Sequence, residues 1–298
     1  MRSAWTRIVV LAALGAAAGG CSMTGFVADN MVGLLEDVER EFRSDGSYQH
    51  GRLAGPGLLK TLDGVIAASP DNEVLLAMGC RMNAGYALAF VETLTEMTDE
   101  EKAWSRSLNQ RALGYGLRAL DDPEFEAAIK GSPETVRAVL QSYDEDDLPV
   151  LFWIGIAYGG WINQNKDSIR AVADLPIAVA IMERVIEIDE TFFFGGAHLF
   201  LGQYYGSRGK DLGGDPERAK GEFEKVLQLT GGKFLLAKVY MARYYAVPAQ
   251  NLELYETLLD EVLEAPDDIL PGEELTTAVA KHDADRLFLA ADDFFLSE

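Results

Sequence analysis

The chain has 298 residues, with 48 acidic side chains against 26 basic ones and a formal net charge of −22. Such a surface repels phosphate backbones and anionic lipid, which excludes nucleic-acid binding and disfavours adsorption to a membrane through the protein surface. Two cysteines, Cys21 and Cys80, supply no disulfide framework, and a chain of this length buries roughly 75% of its unfolded surface without one.

Arg2 and Arg7 form a basic start, and Ile8 to Gly19 form an apolar run. That run is shorter than the ~20 residues a membrane-spanning helix requires, so it reads as a secretory leader covering residues 1–20. It ends in Ala18-Gly19-Gly20-Cys21, which resembles a bacterial lipobox, with Ala18 standing where Leu is usual. The small residues suit the cut, and Cys21 is expected to carry a diacylglycerol as a thioether. One residue then bears the more than one acyl chain that stable anchoring requires. The lipid anchor is the expected membrane contact, and no segment after the leader is expected to span a bilayer. Ser22 rather than Asp after the anchor points to the periplasmic face of the outer membrane, its inner leaflet.

Residues 21–30 read as a tether and 31–298 as a single helical domain, because apolar residues recur at helical spacing and nothing alternates like a strand. Met31, Leu34, Leu35 and Val38 predict a buried stripe on a first short helix, and His50 falls in a polar loop. Ser69-Pro70-Asp71-Asn72 opens a helix with Leu75, Leu76, Met78, Met82, Tyr86 and Phe90. Asp99-Glu100-Glu101 places acids at the positive end of the next helix, with Trp104, Leu108, Leu113, Leu117 and Leu120 on its buried face. Asp122-Pro123 and Ser132-Pro133 punctuate the stretch after it, and Leu148-Pro149 starts a very apolar helix through Trp161. Helices over 171–188, 196–205, 216–229, 234–246, 252–263 and 273–295 complete an all-α fold of about ten helices stacked as hairpins. Leu201-Gly202-x-x-Tyr205 followed by Ala219-x-x-x-Phe223 has the spacing of a tetratricopeptide unit, and Ala178-x-x-x-Met182 echoes its second helix. The fold class is therefore stacked helical hairpins with cryptic tetratricopeptide-like repeats.

Catalytic and metal chemistry find little support. The three histidines, His50, His198 and His282, do not pair at i, i+4 or with a cysteine. Acidic pairs such as Asp121-Asp122, Asp146-Asp147 and Asp267-Asp268 read as helix starts and solvated turns, and Leu212-Gly213-Gly214-Asp215 lacks the Lys of a phosphate-binding loop. Cys80 lies in an apolar stretch and reads as a small buried hydrophobe. The expectation is a protein that is not an enzyme and needs no cofactor.

The segment from Trp153 to Asn163 holds Gly155, Gly159 and Gly160, each costing about 1 kcal/mol inside a helix. Two readings stand. The glycines admit a neighbouring backbone, or they leave room for a ligand walled by Trp153, Tyr158 and Trp161, with Tyr86 from the preceding apolar helix. Asn83, Asn163 and His198 are the candidate polar contacts. Phe192-Phe193-Phe194 cannot all face one core, so at least one is expected to line a cavity or meet another protomer.

The motifs in their order resemble the T component family of tripartite ATP-independent periplasmic (TRAP) transporters. The resemblance is carried by Ser69-Pro70-Asp71-Asn72, Leu148-Pro149-Val150-Leu151-Phe152-Trp153, Asp174-Leu175-Pro176 with Met182-Glu183-Arg184, Phe194-Gly195-Gly196-Ala197-His198, Leu212-Gly213-Gly214-Asp215, Ala280-x-x-x-Ala284 and Asp292-Asp293-Phe294-Phe295. Thr277 stands where the pattern has Asn, which bears on a local cap. The resemblance implies a lipid-anchored helical protein that forms homotrimers and works beside a TRAP-type periplasmic solute-binding P subunit. It implies a cleft or pore holding a small hydrophobic or carboxylate ligand. The competing expectation is a tetratricopeptide-like scaffold for protein partners in the cell envelope.

Overall fold

The computed structural model describes residues 23–295, so the leader and Cys21 lie outside the described residues. Every regular element among those residues is helical. The segment expected to be a tether instead forms α1 (Met23–Asp29). It is docked through buried Ala28 and through Asp29, whose carboxylate accepts from Ser69 Oγ at 2.5 Å and Asn72 Nδ2 at 2.8 Å. These bonds lower the Asp29 carboxyl below its ordinary range.

Helix α2 (Val32–Arg43) corrects the expected stripe: it buries Leu35 and Glu39, and leaves Leu34 and Val38 exposed. Glu39 is on the inner face because Arg81 meets it in a two-pronged pair, Nε to Oε1 at 2.6 Å and Nη2 to Oε2 at 2.5 Å. Helix α3 (Tyr48–Ala68) replaces the polar loop expected around His50, with Ser47 capping its first turn. Gly51 and Gly55 are its contact points: a side chain at Gly51 would meet the Phe90 ring, and one at Gly55 the Tyr86 ring.

Helix α4 (Glu73–Tyr86) starts at Asn72, whose side chain accepts from Leu75 N, and continues as a π turn over Ala87–Val91. Together they span 19 residues, apolar and long enough by length and composition to cross a membrane, contrary to the expectation for the mature chain. Leu75, Leu76, Met78, Cys80 and Ala84 are buried among neighbouring helices, which is the pattern of a core helix. Helix α5 (Asp99–Leu120) opens with a complete capping box between Thr98 and Glu101. Its inner face is Ser105, Leu108, Asn109, Ala112 and Gly116, whereas Trp104 is exposed and Leu113, Leu117 and Leu120 are half-buried.

Short helices α6 (Pro123–Ala128) and α7 (Pro133–Leu140), capped by Asp122 and Ser132, lead to the apolar α8 (Leu148–Asn163) at the centre of the main core. After α9 (Ile169–Ala173), α10 (Leu175–Asp189) packs on α8. Then α11 (Phe192–Gly206) and α12 (Pro216–Thr230) form the most closely packed hairpin. Gly202 lies against the Phe223 ring, so the Gly and Phe positions of the two helix patterns do meet. Helices α13 (Leu236–Met241), α14 (Leu252–Leu263), α15 (Glu274–Leu289) and α16 (Ala291–Phe294) close the stack. Helix α13 also runs into a π turn, Ala242–Ala246. The short pieces raise the number of helices above the ten or so expected. Thr277 is buried in the first turns of α15, with its amide donating to Glu273 O, so no cap depends on it.

Candidate functional site

Two chambers lie on either side of a thin wall made by Leu88 and Tyr240. The first is apolar, about 360 Å³, and lined by Met82, Tyr86, Phe90, Trp153, Phe192, Phe193, Leu236 and Val279 among others. The second is polar, about 510 Å³, and lined by Glu92, Asn163, Lys166, Gln203, Arg243 and Tyr244 among others. A small void of about 40 Å³, with Asn163, Gln203, Leu88 and Tyr240 in its wall, lies between them.

Both π turns border these chambers: Leu88 and Phe90 belong to one, Arg243 and Tyr244 to the other, and Tyr240 precedes the latter by two residues. A π turn inserts one residue into the helical ladder and re-aims the side chains after it, which is why such turns gather at functional sites. The aromatic wall is shaped by a second irregularity. Phe193 and Phe194 have left-handed backbones, φ 45° and 60°, running into Gly195 at φ 75°. For a residue with a Cβ this costs ~1–2 kcal/mol. The turn puts the Phe193 ring 4.9 Å from Trp153 and 5.3 Å from Phe152, between centroids. The expected opening of α11 by the three phenylalanines is thus a left-handed corner, and Phe192 and Phe193 line the cavity.

Four charged groups sit where Arg81 pairs with Glu39 and Arg43 pairs with Glu273, on the rim of the apolar chamber. Asp283 reaches the same chamber from α15, and burial pushes its carboxyl up to about 7, opposed by Arg286. A carboxyl raised above its unfolded value binds its proton more tightly in the folded state. Stability therefore falls as pH rises from about 4 to 7 and stays reduced above that. Asp283→Asn is expected to change little at pH 4 and to raise stability at pH 8, by at most ~4 kcal/mol and less as solvent reaches the half-buried group. Urea denaturation at the two pH values measures this, and equal stabilities at pH 8 would show that Asp283 carries no such strain.

The site residues read from the sequence divide cleanly. Tyr86 and Trp153 line the apolar chamber, the Tyr86 hydroxyl donating to Arg52 O at 2.8 Å. Asn163 lines the polar chamber and the void. The other four candidates line none of the three. Asn83 is buried and donates to Gly79 O at 2.8 Å. Tyr158 turns to the opposite side of α8, its hydroxyl 3.5 Å from Ile129 O, and Trp161 packs beside it with centroids 6.3 Å apart. His198 is held between α11 and α12, with Nδ1 2.6 Å from Glu222 Oε2. The reason is helical geometry: 153 and 158 are five residues apart, about 140° around the axis, so they cannot face one space.

The glycines of α8 take the packing reading. Gly155 lies under Met182, Gly159 under Phe200 and Gly160 under Asn109. Asn109 is there because, with Ser105, it holds Glu92: their side chains donate to Oε1 at 2.6 and 2.7 Å. Cys80 is fully buried and its thiol is pushed up to about 12 by burial. It is a packing residue. Residues that the helical periodicity did not reveal are Leu88, Tyr240, Asp283, Lys166, Gln203, Arg243 and Tyr244. Asp283 in helix α15, and Arg243 in a stretch without acids, were the available signals.

A helical-hairpin stack that holds a partly open apolar chamber beside a partly open polar one defines an all-helical protein with a recess between its helices. The chain belongs to the TRAP transporter T-component family, whose model matches residues 51–295. No curated protein matches it. It is therefore an accessory component of a TRAP transport system in the cell envelope, in a family of transport accessories rather than enzymes.

Proposed function

We propose that the protein binds a small organic ligand in the apolar chamber and hands it to the solute-binding P subunit of its transport system. The observation that carries this reading is the chamber itself. Its walls are aromatic and aliphatic, with a few charged groups at the rim, the composition of a preformed small-molecule pocket. Nothing in the packing of α4, α8 and α15 requires such a space, since closely packed interiors leave few voids larger than a water. The apolar, aromatic lining of this partly open chamber favours this reading over a charged scaffold groove. Native mass spectrometry of the delipidated protein, alone and with the P subunit of the same transport system, tests it. Retention of a small organic mass and its loss on complex formation are expected; absence of both a retained solute and a complex would refute the proposal. The same spectra report whether the protein is a homotrimer.

Anchoring through Cys21, at the periplasmic face of the outer membrane, completes the proposal. It is supported by the basic start, the short apolar run and the small residues before Cys21. Cys21→Ser is expected to move the protein from the membrane fraction to the soluble periplasmic fraction with an unchanged circular dichroism spectrum. Retention in membranes would refute lipidation at that position.

A further inference from the structure

The first two helices carry an apolar surface that no other described part of the chain covers. Met23 is 85% exposed, Phe26 66% and Leu34 59%, with Val27 and Val38 exposed beside them. Large apolar side chains gathered in this way mark a contact surface. The stretch is also poor in charge. Although 25% of the chain is charged, Met23 to Leu35 hold a single ionisable side chain, Asp29, and it is spent on Ser69 and Asn72.

This surface is fixed to the body. Ala28 of α1 and Leu35 of α2 share one apolar cluster with Leu62, Val65 and Ile66 of α3 and with Leu75, Leu76 and Met78 of α4. Asn30 Nδ2 donates to Phe26 O at 2.7 Å and closes the last turn of α1. Only Ser22 lies between Cys21 and Met23, and two residues of chain reach at most ~7 Å. An acyl thioether at Cys21 sits at the boundary between headgroups and hydrocarbon, so the start of a docked α1 cannot leave that boundary.

Charge sets how far along the chain the face extends. On α2, Glu36 points about 160° away from Leu34 around the helix axis, and Asp37 is paired with Arg40. Glu41, one heptad after Leu34 and on its side of the helix, is exposed and ends the apolar face there. The rest of the chain is too acidic to adsorb through charge, which leaves the neutral face beside the anchor as the part that fits a bilayer.

We infer that α1 and the start of α2 lie in the bilayer interface, with Met23, Phe26, Val27 and Leu34 among the headgroups and upper acyl chains. The occupant of this face is the phospholipid surface that holds the anchor, and the inference rests on the reading of Cys21 as that anchor. Helical faces of this kind settle ~5–10 Å into the headgroup boundary. Phe42 and Arg43, at the other end of α2, line the apolar chamber, so the chamber stands one helix away from the membrane rather than on a long tether.

The lipidated chain, reconstituted at low density in dioleoylphosphatidylcholine vesicles, tests this. Phe26→Cys, Leu34→Cys and Leu212→Cys each place one reactive thiol at an exposed site for an environment-sensitive fluorophore, since Cys80 is fully buried. Leu212, in the turn between α11 and α12 and 75% exposed, is the control. With a phospholipid carrying a doxyl quencher close to the headgroup, emission at positions 26 and 34 is expected to fall at least about twofold and at 212 to stay unchanged. Flotation of the vesicles reports the anchor separately. Protein that does not float refutes lipidation at Cys21, and the inference with it. Protein that floats without quenching at 26 and 34 refutes the inference alone. A blue-shifted but unquenched fluorophore would overturn it by showing that protein covers the face, as would equal quenching at all three positions.

Discussion

Gly85→Leu is expected to abolish binding of a neutral apolar fluorophore such as N-phenyl-1-naphthylamine, while making the fold slightly more stable. Gly85 lines the apolar chamber from α4, and a Cβ there would stand 3.7 Å from the Trp153 ring, an ordinary contact. The remaining leucine carbons then have only the chamber to enter. Leucine in place of a helix-interior glycine contributes about 0.5–1 kcal/mol through propensity. Loss of function therefore cannot be traced to unfolding. Gly64→Leu is the control: Gly64 is on the exposed side of α3 with open space around it, so the same propensity gain comes without occupying the chamber. Fluorescence titration and urea denaturation on both variants decide the matter. The expected result is an affinity loss of at least about tenfold, or ~1.4 kcal/mol, for Gly85→Leu alone. Undiminished binding in Gly85→Leu would place the ligand elsewhere.

The second large effect is structural and concerns the polar chamber. Gly206 ends α11 where the backbone of the second π turn passes directly over it, and an added Cβ would collide with the carbonyl oxygen of Tyr244. Backbone cannot swing aside as a side-chain tip can, so Gly206→Ala must push the π turn away from α11. Overpacking of this kind costs about 1–3 kcal/mol, and more when the obstacle is main chain. The same shift would break the Gln203 to Tyr244 bond and move Arg243. The expected outcome is a thermal midpoint lowered by several degrees. Gly221→Ala, on α12 with no atom near its Cβ, should be neutral or slightly stabilising. An unaltered midpoint in Gly206→Ala would mean that the π turn is not held against α11.

Much of the fold was open to sequence reasoning because it rests on local chemistry. Proline at the first turn with Asp before it started α12 where expected, and the Asp122-Pro123 and Ser132-Pro133 punctuation proved to open two short helices, α6 and α7. Ser69-Pro70-Asp71-Asn72 did lead into α4, through the Asn72 cap. The Leu-Gly and Ala-x-x-x-Phe patterns did describe two helices whose Gly202 and Phe223 touch. Where local signals conflicted with a distant partner, the distant partner decided. Helix α3 carries Gly51, Gly55, Pro56 and Gly57, a composition that argues against a helix in isolation. It forms because the two buried glycines seat the Phe90 and Tyr86 rings of another element.

The site shows the same division more sharply. Tyr86, Trp153 and Asn163 were found because they lie in helices whose apolar or glycine-rich character was visible along the chain. Tyr158, Trp161, Asn83 and His198 belong to the same segments but face other neighbours, since the rotation of a helix against its partners is set only by packing.

By itself the sequence determined an acidic, all-helical chain of stacked hairpins, the positions of most helix starts, the inert setting of Cys80 and the family. Each of these follows from composition, period-3.6 patterning, capping within a few residues or the order of short motifs. The tertiary structure alone decided the two chambers. Lys166, Gln203, Tyr240, Arg243 and Asp283 come from four separate stretches of chain, and a π turn with an ordinary helical sequence carries Arg243. Convergence of distant residues depends on how helices rotate and approach, and that is fixed by burial summed over the whole core rather than by any local pattern.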